Sequence, residues 1–258
     1  MRKEILVLAV TATLCASATA RAIVISVPAS ADSTVDLAQP DTAFPSGDLI
    51  AAKQGSPEAT ATDLRFFYAQ FDLPSGLTGQ DIATLNSAQL QIVRTGPDLS
   101  LTYYAYGVLD GVDAASADGY TWNSGVGYDP SNDLVKFLTP DEISYYSDPA
   151  ESVFVGTLST AAPGMGIVDF NSIPQSPTAQ ANLTNLILND TDGRITFYVG
   201  VQQNFGVTPL NTFASIESSE FAGPTLVLDY IPEPTTALLA AGSLLPLLSV
   251  RRRPSFGS

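Results

Sequence analysis

The chain has 258 residues, and its 26 acidic and 11 basic side chains give it a net charge of −15. It contains no histidine and one cysteine, Cys15, which excludes a Ser-His-Asp triad, an imidazole base and a histidine-ligated zinc or copper site. Hydrophobic residues make up 45% of the chain and charged residues only 14%, which suits a packed, β-rich secreted protein better than a disordered one.

Residues 1–22 have the pattern of a secretory signal peptide. Arg2 and Lys3 give a positive start, residues 5–15 are mostly apolar, and small residues follow as far as Ala22. Cleavage after Ala22 is favoured, and the Sec translocon and signal peptidase are then partners of the precursor. An uncleaved anchor is the alternative, although the apolar run is shorter than the roughly 20 residues that span a bilayer. Cleavage removes Cys15, so the mature chain can form no disulfide.

Residues 23–231 are expected to form one folded domain. They contain five basic and 24 acidic residues, a net charge of −19. So acidic a domain repels nucleic-acid phosphates and anionic lipid headgroups, and it attracts divalent cations. We therefore expect no nucleic-acid partner.

Short strands separated by turn residues predict an all-β fold for this domain. In residues 88–94 the apolar Ala88, Leu90 and Ile92 share one face, as on a half-buried strand. One short helix is expected near Thr178–Leu188, where apolar residues recur at roughly helical spacing. This pattern indicates a two-sheet sandwich, above all a jelly-roll β-sandwich. The predicted strands are Ile23–Val27, Thr34–Leu37, Leu49–Ala52, Leu64–Asp72, Ala88–Arg94, Leu101–Leu109, Val153–Leu158, Gly166–Phe170, Arg194–Val201, Thr212–Ile216 and Thr225–Tyr230.

Residues 232–253 combine a short motif, an apolar run and a basic end. The run, residues 235–250, is marginal for a spanning helix, and the arginines after it would stay on the cytoplasmic side. This tail resembles the PEP-CTERM sorting signal of Gram-negative bacteria. The resemblance implies a short C-terminal hydrophobic helix, transient anchoring in the inner membrane, and removal of the tail by the membrane protease exosortase. An ordinary C-terminal anchor is the alternative. The residues that carry the motif and the basic end are Pro232, Glu233, Pro234, Arg251, Arg252 and Arg253.

Short motifs also follow one another along the domain in a set order. They are Ala31-Asp32 with Val35, the stretch from Arg65 to Leu73, Ser87-Ala88-Gln89-Leu90, Thr121-Trp122, the stretch from Phe213 to Glu217, and Pro224-Thr225-Leu226. In this order, over about residues 27–230, the chain is similar to the DNRLRE-type domain, a bacterial jelly roll related to carbohydrate-binding modules. Two departures from that family are Ile216, where a basic residue is usual, and a longer segment at residues 123–165.

The motif residues Asp32, Arg65, Asp72 and Glu217 are expected to be structural. Arg65 is expected to pair with Asp72 or Glu217 inside the sandwich. A buried Arg–carboxylate pair of this kind fixes the geometry of the fold more than it adds to its stability.

Three aromatic residues are candidates for ligand binding. The ring of Trp122 suits stacking on a sugar, but a lone tryptophan between turn residues also closes the end of a core. Tyr145 and Tyr146 lie in a polar loop and are the better exposed candidates.

Acidic residues offer a structural calcium site more readily than a catalytic pair. Asp141-Glu142 and Asp190/Asp192 are close in sequence, yet 24 acidic residues produce such pairs by chance. The stretch Asn189–Gly193 is expected first to be a turn leading into the strand from Arg194, and its oxygen-rich spacing also suits Ca²⁺. No other cofactor is expected.

Together these features predict an exported, non-enzymatic protein of the cell surface or a biofilm-type extracellular matrix, associated with polysaccharide. One alternative is a purely structural matrix protein without a glycan site. A second is a glycan-cleaving enzyme, which would need two facing carboxylates in a cleft.

Overall fold

The computed structural model describes residues 21–36, 38–45, 47–52, 65–96, 102–127, 148–159, 166–169, 176–201 and 210–233. The described residues contain eleven strands and one α-helix. The positions predicted from the sequence are confirmed to within about three residues, except that β5 begins at Ile82 rather than at Ala88. The largest differences are a longer β5 and a β10 that ends at Phe213. The elements are β1 (Ile23–Pro28), β2 (Ala31–Asp36), β3 (Leu49–Ala52), β4 (Arg65–Asp72), β5 (Ile82–Gly96), β6 (Thr102–Val108), β7 (Ser152–Ser159), β8 (Gly166–Asp169), α1 (Pro177–Leu188), β9 (Arg194–Val201), β10 (Leu210–Phe213) and β11 (Thr225–Pro232).

The strands form two antiparallel sheets that are joined at one corner. The first sheet has the order β1-β11-β5-β10-β3, and β8 also pairs with β5. The second has the order β4-β9-β6-β7, and β2 also pairs with β4. Strands β3 and β4 pair through Ala52 and Arg65, which links the two sheets.

The main apolar core lies between the two sheets. Phe213 of the first sheet packs against Phe67 and Tyr103 of the second, with 5.2 Å between ring centroids in both pairs. Leu90 and Ile92 on β5 are fully buried, as the alternation in the sequence predicts. Burying such side chains contributes about 1.5–3 kcal/mol each, so this core is the chief source of stability.

Strand β4 is buried on both faces. Phe67, Ala69 and Phe71 face the core between the sheets, whereas Phe66 and Tyr68 face the opposite side. A loop that follows β6, residues 109–127, covers that opposite side; we call it the covering loop. The loop contributes Ala117, Tyr120 and Trp122 to a second, aromatic-rich cluster.

Helix α1 begins where Ser176 accepts a hydrogen bond from the Ala179 N–H at 3.1 Å, with Pro177 in its first turn. Its buried residues Leu183, Leu186 and Ile187 join the main core. Its end lies against Gly79, in the 3₁₀ helix Gly79–Asp81 that precedes β5.

Replacing Gly79 by alanine should destabilise the protein, because a Cβ there would lie 2.7 Å from the Leu188 carbonyl oxygen and closer still to that of Ile187. Backbone atoms cannot swing aside, so we expect a loss of about 2 kcal/mol or more in the free energy of unfolding, measured by urea denaturation. Gly119→Ala is the matched control, since a Cβ at Gly119 meets nothing within 4 Å. Equal midpoints for the two variants would contradict this packing.

Candidate functional site

Trp122, the first candidate for sugar stacking, is a core residue. It is 2% exposed, and its ring packs against Phe66 with 5.4 Å between centroids. Its faces are therefore covered by the second cluster, in agreement with the core interpretation of this residue. The aromatic rings of this cluster that keep some exposure are Tyr104 and Phe154, which meet edge to face at 5.8 Å. They lie on the outer face of the second sheet. The alternation of the sequence places Tyr104 on the face opposite Tyr103, but it does not show which face is covered.

Some of the other residues that the sequence suggested lie within the described residues, and others lie outside them. Tyr145, Tyr146, Pro234 and the basic end Arg251–Arg253 lie outside them. Pro232 is the last residue of β11, and the Glu233 N–H donates to the Asp81 carbonyl oxygen at 2.8 Å. The Pro-Glu-Pro motif therefore starts where the last strand ends.

The pairing expected for Arg65 is wrong. Its Nε donates to Asp36 Oδ2 at 2.8 Å, and neither Asp72 nor Glu217 is its partner. The register of β2 on β4 places Asp36 opposite Arg65, whereas Asp72 lies at the other end of the same strand. Asp72 instead accepts from Arg194 Nε at 3.0 Å, its register partner on β9. Glu217 is exposed, in the segment after β10.

Asp32 is structural, as expected, but its environment is unusual. The residue is fully buried on β2, and its Oδ2 accepts from the Ile216 N–H at 2.8 Å. Within the described part of the chain, Oδ1 has no hydrogen-bond partner. Burial raises the pKa of Asp32 to about 7, and the negative charges of Glu217 and Asp118 add to the rise. Ile216 supplies a backbone N–H here but no positive charge.

Asp113 is a second buried carboxyl group, at the start of the covering loop. The residue is 1% exposed. Neither oxygen of its side-chain carboxyl group has a hydrogen-bond partner among the described residues. Burial raises its pKa to about 6, although the nearby Thr196 hydroxyl and the Arg194 charge oppose the rise. The backbone of Asp113 is fixed, because Gln70 Nε2 donates to its carbonyl oxygen at 3.2 Å.

Three carboxylates come together where the covering loop meets the turn before β9. One ligand oxygen from each of Asp110, Asp190 and Asp192 lies within 4.8 Å of the others. Asp190 is buried, and its oxygens accept from the N–H groups of Gly79, Gly193 and Arg194 at 3.1–3.2 Å. Burial raises the pKa of Asp190 to about 6, with smaller contributions from the charges of Asp192 and Asp110.

The geometry of this cluster is compatible with calcium, which the sequence offered as the second interpretation of this turn. Ca²⁺ holds oxygen ligands at about 2.3–2.6 Å, so two ligands of one ion lie at most about 5 Å apart, and these three fit that limit. The turn at Asp190–Gly193 also serves as a plain connection into β9, since the N–H groups of Gly193 and Arg194 donate to the carboxylates of Asp190 and Asp192. Calcium therefore stays a prediction. The sequence suggested Asp190 and Asp192, and only the fold adds Asp110.

Comparison with known proteins assigns no family to the chain. No family model matches it, and no curated protein matches it. Within the described ranges, no helix is both long enough and apolar enough to cross a membrane.

The stability of the protein should fall as the pH rises from about 4 to 7. Asp32 has a folded-state pKa of about 7 and a reference value of 3.8, so the folded state binds its proton more tightly than the unfolded state. The resulting stabilisation is complete below pH 4 and is lost as the pH passes 7. We expect Asp32→Asn to become more stable relative to wild type by roughly 3 kcal/mol between pH 4 and pH 8, measured by urea denaturation. Asp41→Asn, at an exposed carboxylate, is the control; an Asp32→Asn effect that is the same at both pH values would refute the prediction.

Calcium should raise the melting temperature if the Asp110 cluster binds it. At a concentration 100 times the dissociation constant, a ligand of the folded state adds about 2.7 kcal/mol to the free energy of unfolding. Asp192→Asn removes one charge while its amide oxygen can still accept from Arg194, so this variant should fold and lose the calcium response. Asp41→Asn should keep it. A wild-type protein that melts at the same temperature with calcium and with a chelator would exclude the site.

Proposed function

We propose that this chain is an exported, exosortase-processed protein of the cell surface or extracellular matrix. Its β domain associates with polysaccharide and performs no catalysis. In this proposal the tail anchors the precursor transiently in the inner membrane before the protein reaches the surface. A calcium ion at the Asp110 cluster would be structural.

The observation that carries the proposal is where the two ends of the domain lie. Strand β1 begins at Ile23, directly after the expected signal peptide, and β11 ends at Pro232, at the Pro-Glu-Pro motif. The two strands are neighbours, and Ile23 pairs with Tyr230. Both terminal segments therefore leave the domain from one corner. Their removal takes away none of the described strands, which is what processing at both ends requires.

The domain is also suited to persist outside the cell. Residues 23–231 contain no cysteine, so they need no oxidising step, and the core between the sheets supplies their stability instead. Their net charge of −19 favours solubility.

The strand order supports the jelly roll that the resemblance implies. Eight strands pair as two four-stranded sheets, β1-β11-β5-β8 and β4-β9-β6-β7. Along the chain, every step between these eight strands crosses from one sheet to the other except β6 to β7. This alternation is the pattern of a jelly roll, an architecture that lectin domains use. Strands β2, β3 and β10 are additions to it.

A purely structural matrix protein is the second candidate, and the burial of Trp122 favours it. The ring best suited to stacking on a sugar is enclosed in the second cluster. Glycan contact in the described region would then rest on the outer-face rings of Tyr104 and Phe154, which are only partly exposed.

Expression of the full-length gene in a Gram-negative host that makes exosortase and an extracellular polysaccharide tests the proposal. We expect the exported chain to lack about its first 22 residues and to end near Pro232–Thr235 by mass spectrometry. It should sediment with the polysaccharide and release no sugar from it. Glu233→Ala should keep its tail and stay in the membrane fraction, whereas the matched control Glu220→Ala should be processed normally.

Three outcomes separate the alternatives. An intact tail on the exported wild-type chain contradicts the sorting signal. Correct processing without polysaccharide binding favours the purely structural role. Release of sugar from any polysaccharide would establish the glycan-cleaving enzyme instead.

A further inference from the structure

The outer edge of β1 is apolar and uncharged. Strand β1 lies at one end of its sheet with β11 on one side, and no strand of the described chain pairs with its other side. Ile23 is 42% exposed and Val24 is 65% exposed; of the large hydrophobic residues in the described ranges, only Ile216 is similarly exposed. Ile23–Pro28 contains no charged residue. Monomeric proteins usually protect an edge strand of this kind with lysines, bulges or a covering segment.

The backbone groups that point away from β11 can be identified from the register. The Ala29 N–H donates to the Pro224 carbonyl oxygen at 2.9 Å, one step beyond the pair Pro28–Thr225. Alternate residues of an antiparallel pair turn their N–H and C=O groups to the same side. Val24 and Ser26 therefore direct their N–H and C=O groups outward, to the free edge. Pro28 also faces outward but has no N–H to donate.

The opposite edge strand of the molecule is partly protected. Strand β7 lies at the end of the second sheet, and Asn182 of α1 donates from Nδ2 to the Phe154 carbonyl oxygen at 2.8 Å. Helix α1 packs beside that strand. The described structure gives β1 no such cover, so the two edges differ in their capacity to accept another strand.

We propose that β1 pairs antiparallel with β1 of a second copy of this chain, across a two-fold axis at Ile25. Val24 of each copy then lies opposite Ser26 of the other, and the outward N–H and C=O groups of both residues are paired. Ile25 lies opposite Ile25, and the exposed Ile23 lies beside the other copy's Val27. The contact joins the first sheets of two copies into one continuous sheet.

The absence of charged side chains from β1 allows a second copy of this acidic chain to approach this edge. A net charge of −19 in residues 23–231 makes two copies repel each other over most approaches, but the contact strand itself carries no charged side chain. Asp229, which lies opposite Val24 on β11, would be separated from its counterpart by three strand spacings, about 14 Å, which exceeds the Debye length of about 8 Å. A basic partner would be drawn to the acidic surfaces rather than to this edge. The two-fold contact is closed, so it ends at a dimer.

Proline at position 26 tests the pairing directly. The full-length gene is expressed, and the chain is purified in the form that the cell produces and analysed by sedimentation equilibrium over a range of concentrations. We expect wild type and Ser26→Ala to reach twice the monomer mass. Ser26→Pro removes an outward N–H without breaking a bond to β11, so it should weaken dimerisation at least tenfold while melting within a few degrees of Ser26→Ala.

Wild-type protein that remains monomeric at millimolar concentration would overturn the proposal, as would Ser26→Pro that dimerises like Ser26→Ala. The first result is also expected if another part of the same chain covers the edge. Either result leaves the proposed export and processing untouched, because those are measured from the termini and the location of the protein.

Single cysteines test the register. In a Cys15→Ser background, I25C should form disulfide-linked dimers on mild oxidation, because facing residues in a pair without hydrogen bonds have Cα atoms about 4.5 Å apart. S26C should not, since the two-residue offset separates those Cα atoms by about 8 Å, beyond the range of a disulfide. Cross-linking of S26C in preference to I25C, or of neither variant, on a non-reducing gel would reject this pairing.

Discussion

Strand β4 has apolar side chains on both faces, and burying both of them governs how the rest of the chain is arranged. One face meets the first sheet across the main core, where Phe67 contacts Phe213. The other would leave Phe66 and Tyr68 in water if the covering loop did not lie over it. Gln70 on the same strand fixes that loop: its Nε2 donates to the carbonyl oxygens of Asp113 and Ala115, and its Oε1 accepts from the Ala117 N–H. Because β4 contributes to both clusters, its aromatic side chains are buried on both faces.

The covering loop also creates the unusual electrostatics of the molecule. It buries Asp113, supplies Asp118 to the N–H of Asp32, and carries Asp110 towards the turn at Asp190. Carboxyl groups removed from water in this way hold their protons to higher pH, because the charged form loses its hydration. A chain with few basic residues can compensate little of this negative charge. The loop that packs over β4 is therefore also the region where we predict effects of pH and of calcium.

The corner at which the chain enters and leaves the domain links the proposed function to the proposed dimer. Strand β1 is the first element after the expected signal peptide and, among the described strands, an edge of its sheet. Its partner β11 is the last described element and ends at Pro232, the first residue of the Pro-Glu-Pro motif. The described chain therefore begins and ends at the same end of this strand pair, beside the edge that we expect to pair. Processing would therefore leave that edge strand at the very start of the mature chain, where a second copy has access to it.

The sequence by itself determined the positions of the strands and of α1, because apolar periodicity and turn residues are local properties. It also determined which side of β5 is buried, since Leu90 and Ile92 alternate with glutamines. Tertiary structure alone decided that Arg65 pairs with Asp36, that Trp122 is enclosed, and that Asp110 joins Asp190 and Asp192. These contacts depend on which strands become neighbours, on their register and on the path of a long loop. A single sequence carries little information on them, because residues such as Asp110 and Asp190 meet only after both sheets have formed.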